Sequence, residues 1–330
     1  MAAGFKTATV RAADVPTTQT NFPTYVDLER LGITTLAEAQ SVRVYADSAK
    51  TTEWAREIVS ATEMHVKVPS LTSTVSMFVD WDGVRSDYAV TATYGRNAVW
   101  SDYALVWHSD STTDSTGNSS FSASGGISLG GSTGKIGGAT TFDGSDDVLE
   151  KSGTLSEYDI NADFTVTTWI NPTSIPSSTG GLVLGQYVSG TNRTILGVVN
   201  SRVTANIYDG SFTTKSAAIS TGAWSMVHFI LDSKSISLFL NGSSETATSD
   251  LIGIANTANE LKLGRSGPGN QQYTGLIDET RIRESVITSD WITTEHNNQN
   301  ANGSFWEATD AGGGGSTPAQ AARRGVIMMM

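Results

Sequence analysis

Residues 224–242 read Trp224-Ser-Met-Val-His-Phe-Ile-Leu-Asp-Ser-Lys-Ser-Ile-Ser-Leu-Phe-Leu-Asn-Gly242. Two runs rich in strand formers flank a turn at Asp232-Ser-Lys234, and a second turn signal, Asn241-Gly242, ends the stretch. This is the pattern of an antiparallel hairpin. Working outward, Phe164-Thr-Val-Thr-Thr-Trp-Ile170 alternates and Asn171-Pro172 ends it. Gly181-Leu-Val-Leu-Gly185, Thr194-Ile-Leu-Gly-Val-Val199 and Val203-Thr-Ala-Asn-Ile-Tyr208 follow at short, even intervals, and Leu261-Lys-Leu263 and Gly275-Leu-Ile-Asp-Glu-Thr-Arg-Ile282 complete the set. Many short strands at such spacing mean a sandwich or barrel.

Tyr103-Ala-Leu-Val-Trp107 opens this region without a linker, and Asp110 to Gly138 is a Gly/Ser-rich stretch of loops and short strands. The domains expected are an extended arm at 1–24 that needs a partner to order it, a small mostly-β domain at 25–102, the sandwich at 103–308, and a tail at 309–330. In the small domain, Thr34-Thr-Leu-Ala-Glu-Ala-Gln40 is the one helix candidate, with Thr34 or Thr35 as cap and Glu38 in the capping-box position. Ser41-Val-Arg-Val-Tyr45, Glu63-Met-His-Val-Lys-Val68 and Thr74-Val-Ser-Met-Phe-Val-Asp80 read as strands. Pro69, which cannot donate to a ladder, is expected to stop the second of them. In the tail, Gly312 to Gly315 is a linker. Arg323, Arg324, Ile327 and Met330 then suit an anchor that docks on a partner subunit, the plainer alternative being a frayed end.

Charged residues make up 16% of the 330, well below the ~25% usual in soluble domains. The net charge of −12 repels nucleic-acid phosphates and anionic membranes. With no cysteine, disulfides and thiolate metal sites are excluded. No apolar stretch approaches the ~20 residues needed to cross a bilayer, so no membrane insertion is expected.

Five stretches, in order, resemble the LamG-type branch of the concanavalin A-like lectin/glucanase superfamily. They are Gly134-Lys-Ile-Gly-Gly-Ala-Thr-Thr-Phe-Asp-Gly-Ser-Asp-Asp147, Phe164 to Pro172, Trp224 to Gly242, Leu261-Lys-Leu-Gly-Arg265, and Gly275 to Ile282. The resemblance implies an all-β fold, a concanavalin A-like jelly-roll β-sandwich behind the smaller mostly-β N-terminal domain. It also implies a binder of glycan or protein, sometimes with a structural Ca²⁺. The N-terminal domain is similar, through Val42-Arg-Val-Tyr45, Val66-Lys-Val-Pro-Ser-Leu71, Tyr94-Gly95 and Trp107-His108, to an uncharacterised family that often precedes LamG domains.

Glucanases of this superfamily carry two carboxylates at alternate positions of one strand, which sets both on one sheet face. The nearest counterpart is Ile277-Asp-Glu-Thr280, where Asp278 and Glu279 are adjacent and so expected on opposite faces. No enzyme is expected. No cofactor is required; a structural Ca²⁺ held by Asp143 and Asp278 is set against the reading that both shape turns by accepting backbone N–H bonds. His65, His108, His228 and His296 are scattered and form no ligand pair by spacing, and His228, within a strand, reads as a satisfied structural histidine. Trp169 and Trp224 read as core. For a glycan, loop residues offering aromatic, amide and charged groups are Tyr187, Asn192, Arg193, Tyr208, Gln272 and Tyr273.

Domains of this kind usually act outside cells, yet Met1 to Val10 lacks the apolar core of an export signal and the chain has no cysteine. A virion protein reconciles these facts, being made in the host cytoplasm and exposed later on the virion surface. The expectation is a non-enzymatic structural protein of a tailed bacteriophage, a head decoration or tail fibre. It would be oligomeric in the particle, with other virion subunits and a host glycan as partners. The alternative is a bacterial surface or secreted carbohydrate-binding protein, extracellular in location.

Overall fold

The computed structural model describes residues 3–311 apart from 119, 152, 154, 159–161, 179, 190–191, 209–211, 246–260 and 266–270. The N-terminal module contains strands β1 (Gly4–Val10), β2 (Gln19–Asp27), β3 (Arg43–Tyr45), β4 (Glu53–Trp54), β5 (Arg56–Ile58), β6 (Glu63–Leu71) and β7 (Ser76–Trp81), with short helices α1 (Leu36–Gln40) and α2 (Arg96–Val99). The sandwich follows with β8 (Tyr103–Trp107), β9 (Phe121–Ser124), β10 (Ser128–Thr133), β11 (Gly138–Asp143), β12 (Val148–Lys151), β13 (Phe164–Ser174), β14 (Gly181–Ser189) and β15 (Asn192–Val199). It continues through β16 (Arg202–Tyr208), β17 (Phe212–Ala218), β18 (Ser225–Asp232), β19 (Ser235–Leu240), β20 (Ser243–Glu245), β21 (Leu261–Leu263) and β22 (Thr274–Arg283). Helices α3 (Ser289–Asn300) and α4 (Asn302–Phe305) and strand β23 (Trp306–Asp310) end the described chain. Among the described residues, no helix is long and apolar enough to cross a membrane.

Two antiparallel sheets form the sandwich. One runs β10-β11-β22-β13-β18-β19-β20, with β8 pairing to the end of β22; the other runs β17-β16-β15-β14-β21-β12-β9. The fold is thus an all-β jelly-roll sandwich with a mostly-β N-terminal module. Period-two alternation explains the core. Phe164, Val166 and Ile170 of β13 face inward beside Val227, Phe229 and Leu231 of β18, opposite Val183, Leu196, Val203 and Ile207 of the other sheet. The β18–β19 turn places Ser233 and Lys234 at φ 47° and 71°, and Asn241-Gly242 turns β19 into β20 at 50° and 82°. Two consecutive positive φ values give the turn whose twist matches the flanking strands. The Ser233 amide donates to Asp163 Oδ1 at 2.7 Å, which fixes the first turn to the neighbouring strand entry.

The N-terminal module holds a five-stranded sheet, β23-β1-β7-β3-β4, and a three-stranded one, β2-β6-β5. Here the structure differs from the sequence reading. Residues 4–10, read as part of an arm, form β1 between β7 and β23, with Ala8 and Val10 buried. The partner that orders them is the far end of the same chain. Residues 306–310, divided in the sequence reading between sandwich and tail, close this sheet as β23. Trp291, Ile292, Phe305 and Trp306 fill the same core as Phe22, Val66 and Val79, so the segment after β22 packs with the N-terminal module. Pro69 does not end its strand. The β2–β6 register runs through Thr20↔Ser70 and Phe22↔Val68, and only the Asn21 position opposite Pro69 drops out, where Asn21 bends to φ 55°. The helix at 36–40 is capped as expected, Thr35 Oγ1 accepting the Glu38 amide at 3.3 Å.

Helix α3 joins the two parts. Its Asn298 side chain accepts from the Tyr25 amide and donates to the Tyr25 carbonyl, at 2.7 and 2.9 Å. On the other side, Gln299 Oε1 accepts from Trp169 Nε1 at 2.7 Å and His296 stacks on the Trp169 ring. The outer face of the eight-stranded sheet is therefore covered, and Ile230 of β18 belongs to the N-terminal core. Trp169 is buried as expected but at this junction, whereas Trp224, just before β18, is only half-buried and not core.

Candidate functional site

At the covered face, strand β22 carries a bulge. Thr167 pairs with Arg281 and Trp169 with Asp278, so Thr168 alone faces Glu279 and Thr280. Glu279 adopts φ 49° to make room for the extra residue. Thr280 Oγ1 meets Thr168 Oγ1 at 2.8 Å between the inward-facing Ile277 and Ile282, while Glu279 and Arg281 reach α3 and the N-terminal module. The bulge thus overturns the expectation that Asp278 and Glu279 point to opposite faces: both lie on the outer side.

These side chains enter a fully buried polar cluster. Glu279 Oε1 lies 2.6 Å from His108 Nδ1, and its Oε2 accepts from Arg281 Nη2. The other ring nitrogen of His108 meets Glu57 Oε2 at 3.1 Å; Glu57 also accepts from Trp100 Nε1 and, at 2.6 Å, from Ser115 Oγ. His65 stacks on His108 with ring centroids 4.8 Å apart, and its Nε2 lies 3.1 Å from Glu63 Oε1 and 3.8 Å from Glu279 Oε2. Arg281 Nη1 donates to Glu295 Oε1 at 3.2 Å, and Glu295 Oε2 is 3.1 Å from His228 Nε2. His228 is thus a structural histidine, with Glu295 as its partner.

Burial alone would raise Glu279, but the His108 and Arg281 charges outweigh it and hold the carboxyl far below the usual range. Burial would likewise lower His108, yet Glu279 and Glu57 hold it well above the ordinary histidine value. Burial and the nearby Glu279 push Glu63 and Asp278 well up, and burial pushes His65 well down. The charges of Glu279, His108 and Arg281 thus favour one another, while burial works against the charged forms of Glu63, Asp278 and His65. One donor atom from each of Glu63, His65, His108 and Glu279 lies within 4.8 Å of all the others. At the outer end of the cluster, beside Glu57 and His108, a cleft of about 200 Å³ opens, lined also by Arg56, Asp87, Tyr88 and Arg96.

Among the described residues, nothing covers the opposite face of the sandwich. On β14, β15 and β16 the outward positions Leu182, Ile195, Gly197, Thr204 and Asn206, with Ser178 and Gln271 at the rim, enclose a depression of about 160 Å³. Two glycines make it. A Cβ on Gly197 would lie 2.8 Å from the Gly181 carbonyl, and one on Gly181 2.9 Å from the Gln272 carbonyl, so the strands approach more closely than side chains allow. Asn206 Nδ2 donates to Thr214 Oγ1 at 3.0 Å across the next strand. The surface mixes small apolar groups with hydroxyl and amide groups, suited to a neutral polyol with a C–H face.

Of the residues expected to hold a glycan, Tyr187, Arg193 and Tyr208 occupy one row across this sheet, with register Tyr187↔Arg193 and Arg193↔Tyr208. Asn192 starts β15; the side chains of these four lie outside the described residues. Gln272 bridges to Arg265 near the sheet. Tyr273 is corrected: it is buried in the sandwich core, its hydroxyl donating to the Leu276 carbonyl at 3.0 Å. Asp143 and Asp278 do not meet either. Asp143 pairs with Thr274, four residues and roughly 13 Å along β22 from Asp278. Asp143 accepts the Ser145 amide and Asp278 the Lys135 and Ile136 amides. Asp143 instead groups with Asp146 and Asp147 in its own turn. Arg323, Arg324, Ile327 and Met330 lie outside the described residues.

The buried cluster was missed because its members are scattered: His108 and Glu279 are 171 positions apart, and His108 and Glu57 are 51 apart. Glu63-x-His65 alternation on a strand was a usable local signal, since it sets both side chains on one face.

Residues 142–293 match the family model Laminin_G_3, described as the concanavalin A-like lectin/glucanases superfamily. No curated protein matches the chain. Among solved structures, the chain is similar to the binding domain of Paraclostridial mosquitocidal protein 1, at 11% identity and TM-score 0.50 over 60% of this chain and 52% of that one. It is similar also to the receptor-binding domain of botulinum neurotoxin type G, at 9% identity and TM-score 0.50 over 60% and 51%. Domain 4 of AbnA, a GH43 extracellular arabinanase from Geobacillus stearothermophilus solved in complex with arabinotriose, aligns at 20% identity and TM-score 0.49 over 58% and 97%. The chain spans about half the length of the two toxin domains. Such identities speak to fold alone. The likeness to the concanavalin A-like lectin/glucanases superfamily thus rests on residues 142–293.

Proposed function

We propose that the chain is a non-enzymatic binding protein that presents the outer face of its seven-stranded sheet to a glycan, as a structural component on the surface of a tailed-bacteriophage virion. One observation carries the binding face: the N-terminal module and α3 cover the outer side of the eight-stranded sheet, while the outward positions of β14–β16 line an open depression. The superfamily matched at 142–293 is one of lectins and glucanases, which supports carbohydrate as the ligand class. The non-enzymatic reading rests on the β22 carboxylates. Asp278 and Glu279 are buried beneath the N-terminal module and tied to backbone amides, His108 and Arg281, whereas glycoside hydrolysis needs two carboxylates flanking an accessible bond. Absence of cysteine suits assembly in a reducing cytoplasm before outside exposure. The tail residues Arg323, Arg324, Ile327 and Met330 are the proposed contacts to neighbouring subunits.

A glycan array probed with the full chain tests the ligand class, and antibody labelling of purified phage particles under the electron microscope tests the location. Saturable binding to a defined glycan family, without release of shortened sugars, is the result expected. Steady hydrolysis of a bound oligosaccharide would overturn the non-enzymatic reading. Recovery of the protein on bacterial surfaces or in medium, with none on particles, would replace the virion with an extracellular setting.

A further inference from the structure

We propose that Glu63, His65, His108 and Glu279 form a structural zinc site that fastens the N-terminal module to the sandwich. Two imidazoles and two carboxylates are a donor set that Zn²⁺ accepts, and all four residues are buried. Tetrahedral zinc with ligands about 2.1 Å away separates its donors by roughly 3.4 Å. Here Glu63 Oε1 lies 3.1 Å from His65 Nε2 and 3.6 Å from His108 Nδ1, and His65 Nε2 lies 3.8 Å from Glu279 Oε2. The first two separations bracket that edge; the third is to the Glu279 oxygen that Arg281 holds. The 2.6 Å approach of His108 Nδ1 to Glu279 Oε1 is a hydrogen bond; its proton leaves to solvent as the ion takes its place and the two atoms spread by less than about 1 Å.

The surroundings are those of a ligated site. His108, offering Nδ1, has its Nε2 on Glu57, which is itself held by Trp100 and Ser115. A carboxylate behind a ligating histidine fixes its tautomer and orientation. Arg281 holds Glu279 Oε2 and leaves Oε1 toward His108. Gly137, at φ 53°, lies against Glu63: a Cβ there would stand 2.5 Å from Glu63 Oε2. Beside these, the fully buried His65 Nδ1 and Asp278 Oδ1 have no hydrogen-bond partner among the described residues. Four protein donors leave no open position, which marks the ion as structural rather than catalytic. Glu63 and His65 come from β6 of the N-terminal module, His108 from the end of β8, and Glu279 from the β22 bulge, so one ion ties both parts together.

The test is metal analysis and calorimetric titration of the chelator-treated full chain with ZnCl₂, equilibrated overnight, with Co²⁺ as a spectroscopic probe. One Zn²⁺ per chain, a raised melting temperature and a Co²⁺ spectrum of tetrahedral intensity are expected. Glu63→Gln, close in shape, should weaken binding at least tenfold, and Asp147→Asn, in the separate acidic turn at 143–147, should leave it unchanged. No stoichiometric binding by folded wild type would overturn the proposal. So would binding abolished by Asp147→Asn but indifferent to Glu63→Gln. If Glu63→Gln does not fold, wild-type Co²⁺ decides: a weak octahedral spectrum refutes the site.

Discussion

Replacing Arg281 by methionine tests whether the buried cluster holds the two parts together. The guanidinium is 1% exposed, donates to Glu279 and to Glu295, and lies 4.9 Å over the Trp100 ring. Methionine keeps much of the apolar stem and removes the charge. Two charge-assisted hydrogen bonds disappear, each worth about 1.5–3 kcal/mol. Glu279 retains His108, and Glu295 retains His228 and Gln299, so neither carboxylate is fully orphaned. Breaking a buried ion pair by removing one partner costs about 3–5 kcal/mol, and the remaining partners place this variant toward the lower end. Urea denaturation at neutral pH, in chelator so that no metal contributes, reads the loss directly. Adding Glu295→Gln to the variant should recover part of it, because the second carboxylate no longer needs a cation. A loss under about 1 kcal/mol, or simple additivity of the two changes, would show that Arg281 only fills space.

Three further outcomes follow from the packing. His296 stacks on Trp169; burial, with smaller contributions from the neighbouring His228 and Lys135, depresses it to about 4 from an ordinary 6.5. A depressed histidine contributes stability above its unfolded value that is lost as pH falls toward the folded one, so stability should drop by about 1–2 kcal/mol from pH 6.5 to 4 after discounting for partial exposure, and His296→Gln should flatten that slope in denaturant melts. Phe305→Ala, deep in the core shared by the first and last described segments, should cost about 3–5 kcal/mol; near-neutral behaviour would mean α4 does not seal the N-terminal module. Gly264 sits at φ 85° with the Phe142 ring 2.1 Å from where a Cβ would go, so Gly264→Ala should lower stability by about 2–5 kcal/mol, and a variant as stable as wild type would show that this turn can move.

What the sequence revealed was local. The Ser233-Lys234 and Asn241-Gly242 turns, the alternation of β13 and the Thr35 cap depend on neighbours a few residues away, and all were readable. What it hid depends on distant partners. Lys6 and Asp310 pair across almost the whole chain, so β1 looked like an arm. Helix α3 escaped because its buried face is largely polar, with Glu295, Asn298 and Gln299 bonded to the modules on either side. One bulged residue, Glu279, moved a carboxylate to the other side of its sheet, and simple alternation cannot foresee that. Tyr273 looked like a surface aromatic, yet a carbonyl three residues on satisfies its hydroxyl inside the core.

The claim that the open sheet is the binding face is tested most directly by calorimetric titration of the array's best glycan into wild type and Thr204→Trp. Thr204 lines the depression on a half-exposed strand position, and an indole there fills the space between Gly197 and Asn206 without disturbing the core. The account predicts at least a tenfold loss of affinity, about 1.4 kcal/mol, with an unchanged melting temperature. Equal affinity in the two proteins would contradict it and move the ligand elsewhere on the molecule.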